Sequence, residues 1–215
     1  GAGKNLAGAL QPVKLTRNGL RFVFLAYSDA GTGGMNEAGG ETPGTAPYLI
    51  HDVLDDIVRW KSEADAIVVS VHWGEEHVPY PAPWQVRDAR RMIDAGAALV
   101  LGHHNHMFQG IERYKHGLIA YSLGNFLASD IRWSGPARSY AYALREIDRE
   151  GIVLRCGLTR GGVRSFDCLP IRVQEDGRVS VCEGKQVEEI RAKLAERSAP
   201  LALDDYEGFW RNFRM

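Results

Sequence analysis

The sequence predicts an α/β sandwich. Its first half alternates apolar segments of strand length with amphipathic helices, in the order strand–helix–strand–helix–strand. That order is typical of parallel strands joined by crossover helices. In the region after residue 139, apolar residues alternate within hairpin-like segments, which predicts mostly antiparallel strands beside or on top of the first sheet. A chain of 215 residues is long enough to bury a real core.

Three short apolar runs predict the parallel strands, at residues 20–27, 66–71 and 98–101. Runs of this kind suit strands that are buried on both faces. Between them, residues 47–63 and 83–95 are predicted as helices, since apolar residues recur there at helical spacing. Pro83 can occupy the first turn of the second helix, and Gly96 can end it.

The second half is predicted to be rich in antiparallel strands. A strand pair is expected at 108–114 and 118–123, and further strands at 151–159, 163–174 and 179–182. Glycine-containing turns separate the last three, which favours hairpins. Two helices follow, at 183–198 and 204–213, so we divide the chain into a main part, 1–182, and a C-terminal helical extension, 183–215.

Composition excludes several classes of function. The net charge is −1, from 26 basic and 27 acidic residues, and this balance predicts no nucleic-acid partner. No apolar stretch is long enough to span a bilayer. The 3 cysteines contain no C-x-x-C pair, which argues against a zinc knuckle, although one disulfide is left open. The chain begins without Met or a signal peptide, so it does not indicate a localisation.

Histidines follow two of the predicted parallel strands. His72 comes directly after one strand, and His103, His104 and His106 follow the next. Because the carboxyl ends of parallel strands meet at one edge of a sheet, these side chains are expected to share a crevice. Imidazole is a common ligand of transition metals. We therefore predict that His72, His104 and His106 bind metal, with His103 pointing away or supporting them.

Other polar and aromatic residues near these histidines have two interpretations each. Glu75 and Glu76 could be ligands, general bases or partners of an imidazole N–H, or simply solvated loop residues. Asn125 could bind a phosphate or a backbone carbonyl, or occupy a turn. Trp73 could line a substrate groove or pack beneath the loop. His77 lies in the same loop as His72 and could reach the site, but exposure to solvent is the favoured expectation.

Four segments together resemble the CapA family of bacterial capsule-synthesis and poly-γ-glutamate-synthesis proteins, which is related to calcineurin-like metallophosphoesterases. They are VVSVHWGEE at 68–76, the helix at 81–97, LVLGHHNHMFQGIE at 99–112 and YSLGNF at 121–126. The resemblance covers residues 1–130, and a weaker resemblance extends to residue 173. It implies part of an αββα sandwich with mixed sheets and a dinuclear site for Mn, Fe or Zn. In that site His72, His104 and His106 would be ligands, and Glu75, Glu76 and His103 are catalytic candidates.

The sequence also departs from the family pattern. Asn105 stands where the family commonly has proline. The Gly-Asp, acidic and Asn-Asn-His motifs that supply the family's other ligands are absent, so the resemblance implies that the N-terminal part of the domain is missing. Two nearby divalent ions need anionic ligands to offset their repulsion. We therefore expect a half site that a missing N-terminal segment or a partner chain completes, and possible self-association.

The leading functional hypothesis is a CapA-type metal-dependent hydrolase in capsule or poly-γ-glutamate synthesis or processing. Its substrate would be an anionic polymer or another phosphoester or amide, and paired metals would activate water. One alternative is a non-catalytic binding or scaffold component of a polymer-synthesis complex, and another is a general metal-dependent phosphodiesterase. The resemblance suggests an exported or membrane-tethered protein of the cell envelope.

Overall fold

The computed structural model describes residues 1–32, 36–135 and 139–215. Its strands are β1 (Ala2–Gly3), β2 (Val13–Arg17), β3 (Leu20–Ser28), β4 (Gly44–Thr45), β5 (Ala66–His72), β6 (Leu99–His103), β7 (Ile111–Tyr114), β8 (Gly117–Ala120), β9 (Ile131–Ser134), β10 (Ser139–Tyr142), β11 (Glu150–Thr159), β12 (Gly162–Val173) and β13 (Val179–Val181). Its helices are α1 (Leu6–Ala9), α2 (Ile50–Trp60), α3 (Pro83–Ala95), α4 (Lys185–Ser198) and α5 (Tyr206–Arg214), with single 3₁₀ turns at Ala30–Thr32, Glu146–Arg149 and Ala199–Ala202.

A six-stranded mixed sheet lies at the centre of the molecule, in the order β2-β3-β5-β6-β8-β7. Strands β3, β5, β6 and β8 run parallel, and the edge strands β2 and β7 pair antiparallel with their neighbours. The predicted α/β fold with mixed sheets is therefore confirmed. Strand β2 was not predicted: it is short, alternates apolar and polar residues, and forms a hairpin with β3 through Asn18 and Gly19.

Helices α2 and α3 cover one face of this sheet. Apolar residues of both helices and of the central strands form the largest core cluster, which includes Val53, Ile57, Met92, Ile93, Val69 and Val100. These two helices are the ones that the apolar periodicity predicted, although α2 is shorter at both ends than expected. For helices of this length, burial of the apolar side is the main source of stability.

The opposite face of the central sheet packs against a second, three-stranded antiparallel sheet, in the order β11-β12-β13. Leu154 and Leu158 of β11 and Val163 of β12 contact apolar residues of β5, β6 and β8. Cys156 and Cys168 in this sheet and Cys182 directly after it are free thiols, so the disulfide left open by the sequence is absent. The predicted strands of the second half are thus present as a second layer.

Part of that opposite face is left uncovered. Val13, Leu15 and Phe24 lie on it with 66%, 51% and 38% of their surfaces exposed, and Phe22 lies beside them. Strand β12 lies over the other side of the sheet, where Arg113 of β7 donates a hydrogen bond to its Val163 carbonyl. Strand β11 is therefore the edge strand on the side of β2 and β3. Its first residues bridge to Leu123 and Gly124, and from Val153 onward it pairs with no further described strand.

The C-terminal helices pack onto the main body. Ile190 of α4 joins a cluster with Phe108 and Ile152, while Leu201 and Tyr206 join the large core. Arg197 of α4, which is almost fully buried, donates a hydrogen bond to the Phe108 carbonyl. Within the described ranges, none of the helices has the length and apolar character that a membrane span requires.

Candidate metal and substrate site

Parallel pairing brings the predicted histidines to one edge of the central sheet. His72 ends β5 and lies directly beside His103, which ends β6. His104 and His106 follow in the loop after β6. The register of β3 places Ser28 beside His72, so Asp29, which comes next, is at the same edge. The backbone N–H of Asp29 donates to the carbonyl of His72 at 2.9 Å.

Two of these imidazoles are in close contact. His72 Nε2 and His104 Nδ1 lie 3.0 Å apart, and their ring centroids are separated by 4.7 Å. Two nitrogens at this distance either share a proton or point at one ion. Nitrogens bound to one tetrahedral metal lie roughly 3.3 Å apart when each bond is about 2.0–2.1 Å. The pair therefore has nearly the spacing of two ligands of a single metal ion.

The loop that carries these histidines has an unusual backbone. His104 and His106 have φ values of 99° and 61°, and His77 in the facing loop has 62°. Positive φ is uncommon for residues other than glycine and costs conformational energy, so such residues are often found at functional sites. Gly102, just before the loop, has no room for a side chain, because a Cβ there would overlap the Tyr121 carbonyl.

Burial favours the neutral form of the central histidines. It lowers the pKa of His72, where the neighbouring His104 adds to the effect, and it lowers the pKa of His103 and His104. Neutral imidazole is the form that binds a metal ion, whereas imidazolium has no lone pair to offer. His103 lies beside His72 in the strand register and makes no side-chain hydrogen bond among the described contacts.

His106 points to the other side of the loop. Its Nδ1 lies 3.0 Å from Asn125 Oδ1, and its Nε2 lies 3.9 Å from Glu76 Oε1. Asn125 in turn donates through Nδ2 to the carbonyls of Asp148 and His106. The structure thus gives Asn125 backbone-carbonyl partners, which is one of the roles left open by the sequence.

His77 was predicted to be solvent-exposed, and that prediction is wrong. Its side chain is 21% exposed and stacks between the rings of Tyr142 and His106, at centroid distances of 6.0 and 5.9 Å. His77 Nδ1 lies 3.0 Å from a carboxylate oxygen of Asp148, and its Nε2 lies 3.6 Å from Glu76. The backbone N–H of His77 donates to the Asn105 carbonyl at 2.9 Å, which holds this loop against the histidine loop.

Asp148 is the buried charge of this group. It is fully buried and accepts hydrogen bonds from the Arg145 side chain at 2.9 and 3.0 Å and from the Tyr142 hydroxyl. Burial raises its pKa, but the hydrogen bonds from Arg145 and Tyr142 outweigh burial and hold the pKa of Asp148 well below its usual range. Sequence reasoning missed Asp148, since no local motif links it to a histidine 71 positions earlier.

A cavity of about 300 Å³ opens beside these groups. Its polar wall is formed by Glu76, His77, His106, Asn125 and Tyr142, and its apolar wall by Leu127, Ala128 and Leu144. Concave sites with a few polar groups among apolar residues are the usual form of small-ligand sites. The cavity is therefore the candidate place for a substrate group next to the His72–His104 pair.

The remaining candidates lie outside the cavity. Trp73 is 1% exposed and packs in the large core against Tyr48 and Trp84, so it cannot line a substrate groove. Glu75 forms an ion pair with Arg214 of α5 at 2.9 Å and points away from the histidines. Asn105 is buried and donates hydrogen bonds to the carbonyls of Glu75 and Val78, which ties the loop of Glu76 and His77 to the histidine loop.

The donor atoms supply only part of a metal site. His72 and His104 have the chemistry and nearly the spacing of two ligands. Among the described residues, however, no group of three or more His, Cys, Asp or Glu side chains is arranged to hold a metal ion. His72 and His104 therefore fit two coordination positions, and the other positions need donors from elsewhere.

These features define a mixed α/β protein with a histidine-rich crevice at the carboxyl edge of its sheet. A family model described as bacterial capsule synthesis protein PGA_cap matches residues 1–130, and the chain belongs to this family. It is 31% identical to "Capsule biosynthesis protein CapA" of Bacillus anthracis over 94% of this chain and 47% of that protein. It is 32% identical to "PGA biosynthesis protein CapA" of Bacillus subtilis over 81% of this chain and 43% of that protein.

The chain spans about half the length of these curated relatives. Among solved structures, it is similar to the Thermus thermophilus sulfate thiohydrolase SoxB, with 12% identity and a TM-score of 0.48. That similarity covers 88% of this chain and 28% of the SoxB chain.

Proposed function

We propose that this chain forms part of a metal-dependent hydrolase that acts in capsule or poly-γ-glutamate synthesis or processing. The single observation that carries this proposal is the 3.0 Å approach of His72 Nε2 and His104 Nδ1. Their depressed pKa values and their position at the carboxyl edge of the sheet support it. Membership of the capsule-synthesis family supplies the biological setting, and that setting supports a location in the cell envelope.

His72 and His104 would hold one divalent ion, and His106 would be a ligand of a second ion on the cavity side. When bound, such an ion supplies a Lewis acid and lowers the pKa of a bound water. The chain's own groups then act on the substrate. The cavity would accept part of an anionic polymer, with its amide or phosphoester group near His77 and Glu76. Asp148 and Tyr142 would hold His77 in place there.

The missing ligands would come from a polypeptide that extends the second sheet. Strands added at the free edge of β11 would lie over β2 and β3 and cover Val13, Leu15, Phe22 and Phe24. Their carboxyl or amino ends would reach the edge of the sheet where His72 lies. A missing N-terminal segment of the full-length protein, or a partner chain, is the occupant we propose. A second copy of this chain is the competing occupant.

The test is metal content. The chain is equilibrated separately with Mn²⁺, Fe²⁺ or Zn²⁺, dialysed, and its metal measured by mass spectrometry, together with His72→Ala, His104→Ala and the control His116→Ala. His116 is exposed in a turn away from the site, so its loss should change nothing. We expect binding by the wild type and the control, and at least a tenfold loss in the two site variants. Equal metal content in all four proteins would refute the proposal.

The alternative is a non-catalytic component that binds the polymer. It is favoured by one observation, namely that the described residues form no three-ligand group. In that case poly-γ-glutamate oligomers should bind with the same affinity to the wild type and to His72→Ala, with or without added metal. Calorimetric titration of both proteins distinguishes the two functions, because a metal-dependent hydrolase should bind the oligomer more tightly when loaded.

A further inference from the structure

Asn125 lies where three parts of the molecule meet. It follows Gly124, whose φ of 72° turns the chain after β8, and Gly124 pairs with Gly151 at the start of β11. A Cβ on Gly151 would overlap the Asn125 carbonyl, so this close approach requires glycine. The Asn125 side chain is thereby held between the histidine loop and the turn that carries Asp148.

The orientation of the Asn125 amide is determined by its neighbours. The oxygen and nitrogen of an asparagine amide are hard to distinguish by shape, so hydrogen bonds must decide between them. Asn125 Nδ2 lies 2.9 Å from the Asp148 carbonyl and 3.2 Å from the His106 carbonyl. A carbonyl oxygen only accepts, so the NH₂ group must face these two atoms. Oδ1 therefore faces His106 Nδ1, at 3.0 Å.

This orientation fixes the proton on His106. An amide oxygen only accepts, so His106 Nδ1 must be the donor and carry the hydrogen. A neutral imidazole has a single N–H, and its other nitrogen, Nε2, then keeps a free lone pair. Metal-bound histidines in proteins commonly donate their second ring nitrogen to an oxygen in just this manner, which fixes both tautomer and ring orientation.

We propose that Asn125 is a positioning residue that holds His106 in the tautomer with Nδ1 protonated and Nε2 free to bind a metal ion. The role of the free Nε2 as a metal ligand rests on the proposed metal-dependent function. The tautomer of His106 is a property of the metal-free chain and can be tested by itself. Asn125 touches neither metal nor substrate in this role, and acts through His106.

The experiment compares Asn125→Ala with Asn125→Asp. Both variants lose the Nδ2–H bonds to the two carbonyls, so both lose the purely structural contribution of the amide. Only Asn125→Asp keeps an oxygen that can accept from His106 Nδ1. The tautomer of His106 is measured by long-range ¹H–¹⁵N NMR on ¹⁵N-labelled, metal-free chain, at a pH above the usual pKa range of histidine. His106→Gln identifies the signal.

We expect the Nδ1–H tautomer in the wild type and in Asn125→Asp, and a mixture of tautomers in Asn125→Ala. An Nε2–H tautomer in the wild type would overturn the proposal without any variant, which covers the case in which Asn125→Ala does not fold. Equal behaviour of the two variants would also overturn it, because that result is what a merely structural asparagine predicts.

A second readout uses Zn²⁺ alone as the probe. Loss of an outer partner of a ligating histidine typically weakens metal binding about 10–100-fold. We expect at least a tenfold weaker Zn²⁺ affinity in Asn125→Ala and a near-wild-type affinity in Asn125→Asp. If the wild type has the expected tautomer but Zn²⁺ perturbs no histidine signal, the proposed metal centre fails and the positioning of His106 by Asn125 stands. If Zn²⁺ binds but the tautomer is unchanged in Asn125→Ala, the positioning inference fails alone.

Discussion

Asp148 shows how a single buried carboxylate organises one side of the crevice. It joins Arg145, Tyr142 and His77, and the Asn125 amide binds its backbone carbonyl. A buried carboxylate is tolerated only when its oxygens are paired and hydrogen-bonded. The Asp148 carboxylate meets that condition through Arg145 and Tyr142 of its own segment and through His77 of the loop after β5. The placement of Tyr142 and His77 beside the cavity therefore depends on one ionised group.

Asp148→Asn is expected to reduce stability at neutral pH by about 2 kcal/mol, since hydrogen bonds to charged groups contribute about 1.5–3 kcal/mol each and the new amide N–H faces Arg145. The pKa of Asp148 is depressed in the folded state. Its contribution is therefore present above the unfolded-state pKa of about 4 and is lost as pH falls further. Urea unfolding measured from about pH 7 to about pH 3 should show that the free energy of unfolding falls less steeply with decreasing pH in the variant than in the wild type.

Asp176→Asn is the control for that measurement. Asp176 is exposed and pairs with Arg178 at the surface, where an ion pair contributes little. We expect its stability to change by no more than about 0.5 kcal/mol. If the free energy of unfolding fell equally steeply with decreasing pH in the wild type and in Asp148→Asn, the assigned role of Asp148 would be contradicted.

At this scale the sequence could predict the histidines but not what surrounds them. His72, His103 and His104 follow strands, and parallel strands end at one edge, so local pattern is sufficient to bring them together. The sequence places His77 in the same loop as His72 but does not show that its side chain turns inward. Its environment is built by Tyr142 and Asp148, whose positions depend on tertiary packing far along the chain. The sequence does not decide whether Trp73 lines a groove or packs beneath the loop, because a loop sequence does not show whether an aromatic side chain is buried.

Strand β6 and the loop after it depend on Gly102. The Tyr121 carbonyl occupies the space that a Cβ would need, and this carbonyl belongs to backbone that cannot rotate away. Gly102→Ala should therefore destabilise the chain by at least about 2 kcal/mol, as overpacking of a rigid site does. Thermal unfolding measures the loss. Gly40→Ala is the matched control, since nothing lies within 4 Å of a Cβ there, and it should be nearly neutral.

Helix α5 braces the loop that carries Glu75, Glu76 and His77. Tyr80 of that loop packs edge-on against Phe209 at 5.0 Å, and the Tyr206 hydroxyl donates to the Pro81 carbonyl. Phe209→Ala should loosen the loop without unfolding the sheet. We expect amide hydrogen exchange at residues 74–81 to become about tenfold faster, corresponding to about 1.4 kcal/mol of local stability.

Arg211→Ala serves as the comparison on the same helix, because Arg211 is exposed. Exchange in the loop should be unchanged in that variant. If Phe209→Ala and Arg211→Ala gave the same exchange rates at residues 74–81, the helix would not be bracing the loop.

The elements were predictable where periodicity is strong. Helix α3 begins and ends at the residues that Pro83 and Gly96 indicated. Strand β2 escaped prediction because its five residues are exposed and its apolar positions alternate too briefly to stand out. The strand expected from residue 108 begins at Ile111 instead, since Phe108 turns into the cluster with Ile152 and Ile190.

At the scale of the whole molecule, part of one face of the central sheet is apolar and uncovered among the described residues. Val13 and Leu15 lie on the apolar face that the second sheet leaves uncovered, next to the free edge of β11. Exposed apolar faces beside unpaired strand edges favour association. The isolated chain should therefore self-associate, and Val13→Lys combined with Leu15→Lys should shift it toward monomer by at least tenfold in dissociation constant, as sedimentation equilibrium can measure.

Val58→Lys tests whether any exposed apolar residue would have the same effect. Val58 is exposed on α2, on the opposite side of the central sheet. The self-association should be unchanged in this variant. If the wild-type chain stayed monomeric at every concentration, the uncovered face would not mediate self-association.

The overall architecture followed from the sequence to a large extent, because the order of apolar elements specifies parallel strands and then antiparallel ones. What it could not supply was the relation between distant parts. The packing of the predicted C-terminal extension against the loop of His77 results from contacts such as Tyr80 with Phe209, which no local pattern encodes.

The positive φ angles of His77, His104 and His106 have a consequence for how this protein can change over time. Each of these residues holds its backbone in a conformation that glycine adopts without penalty, at a cost of order 1 kcal/mol. A glycine at any of the three positions would relieve that strain and remove an imidazole. A chain with glycine at these positions would gain local stability and lose the imidazoles, so the crevice chemistry is obtained at the expense of backbone stability.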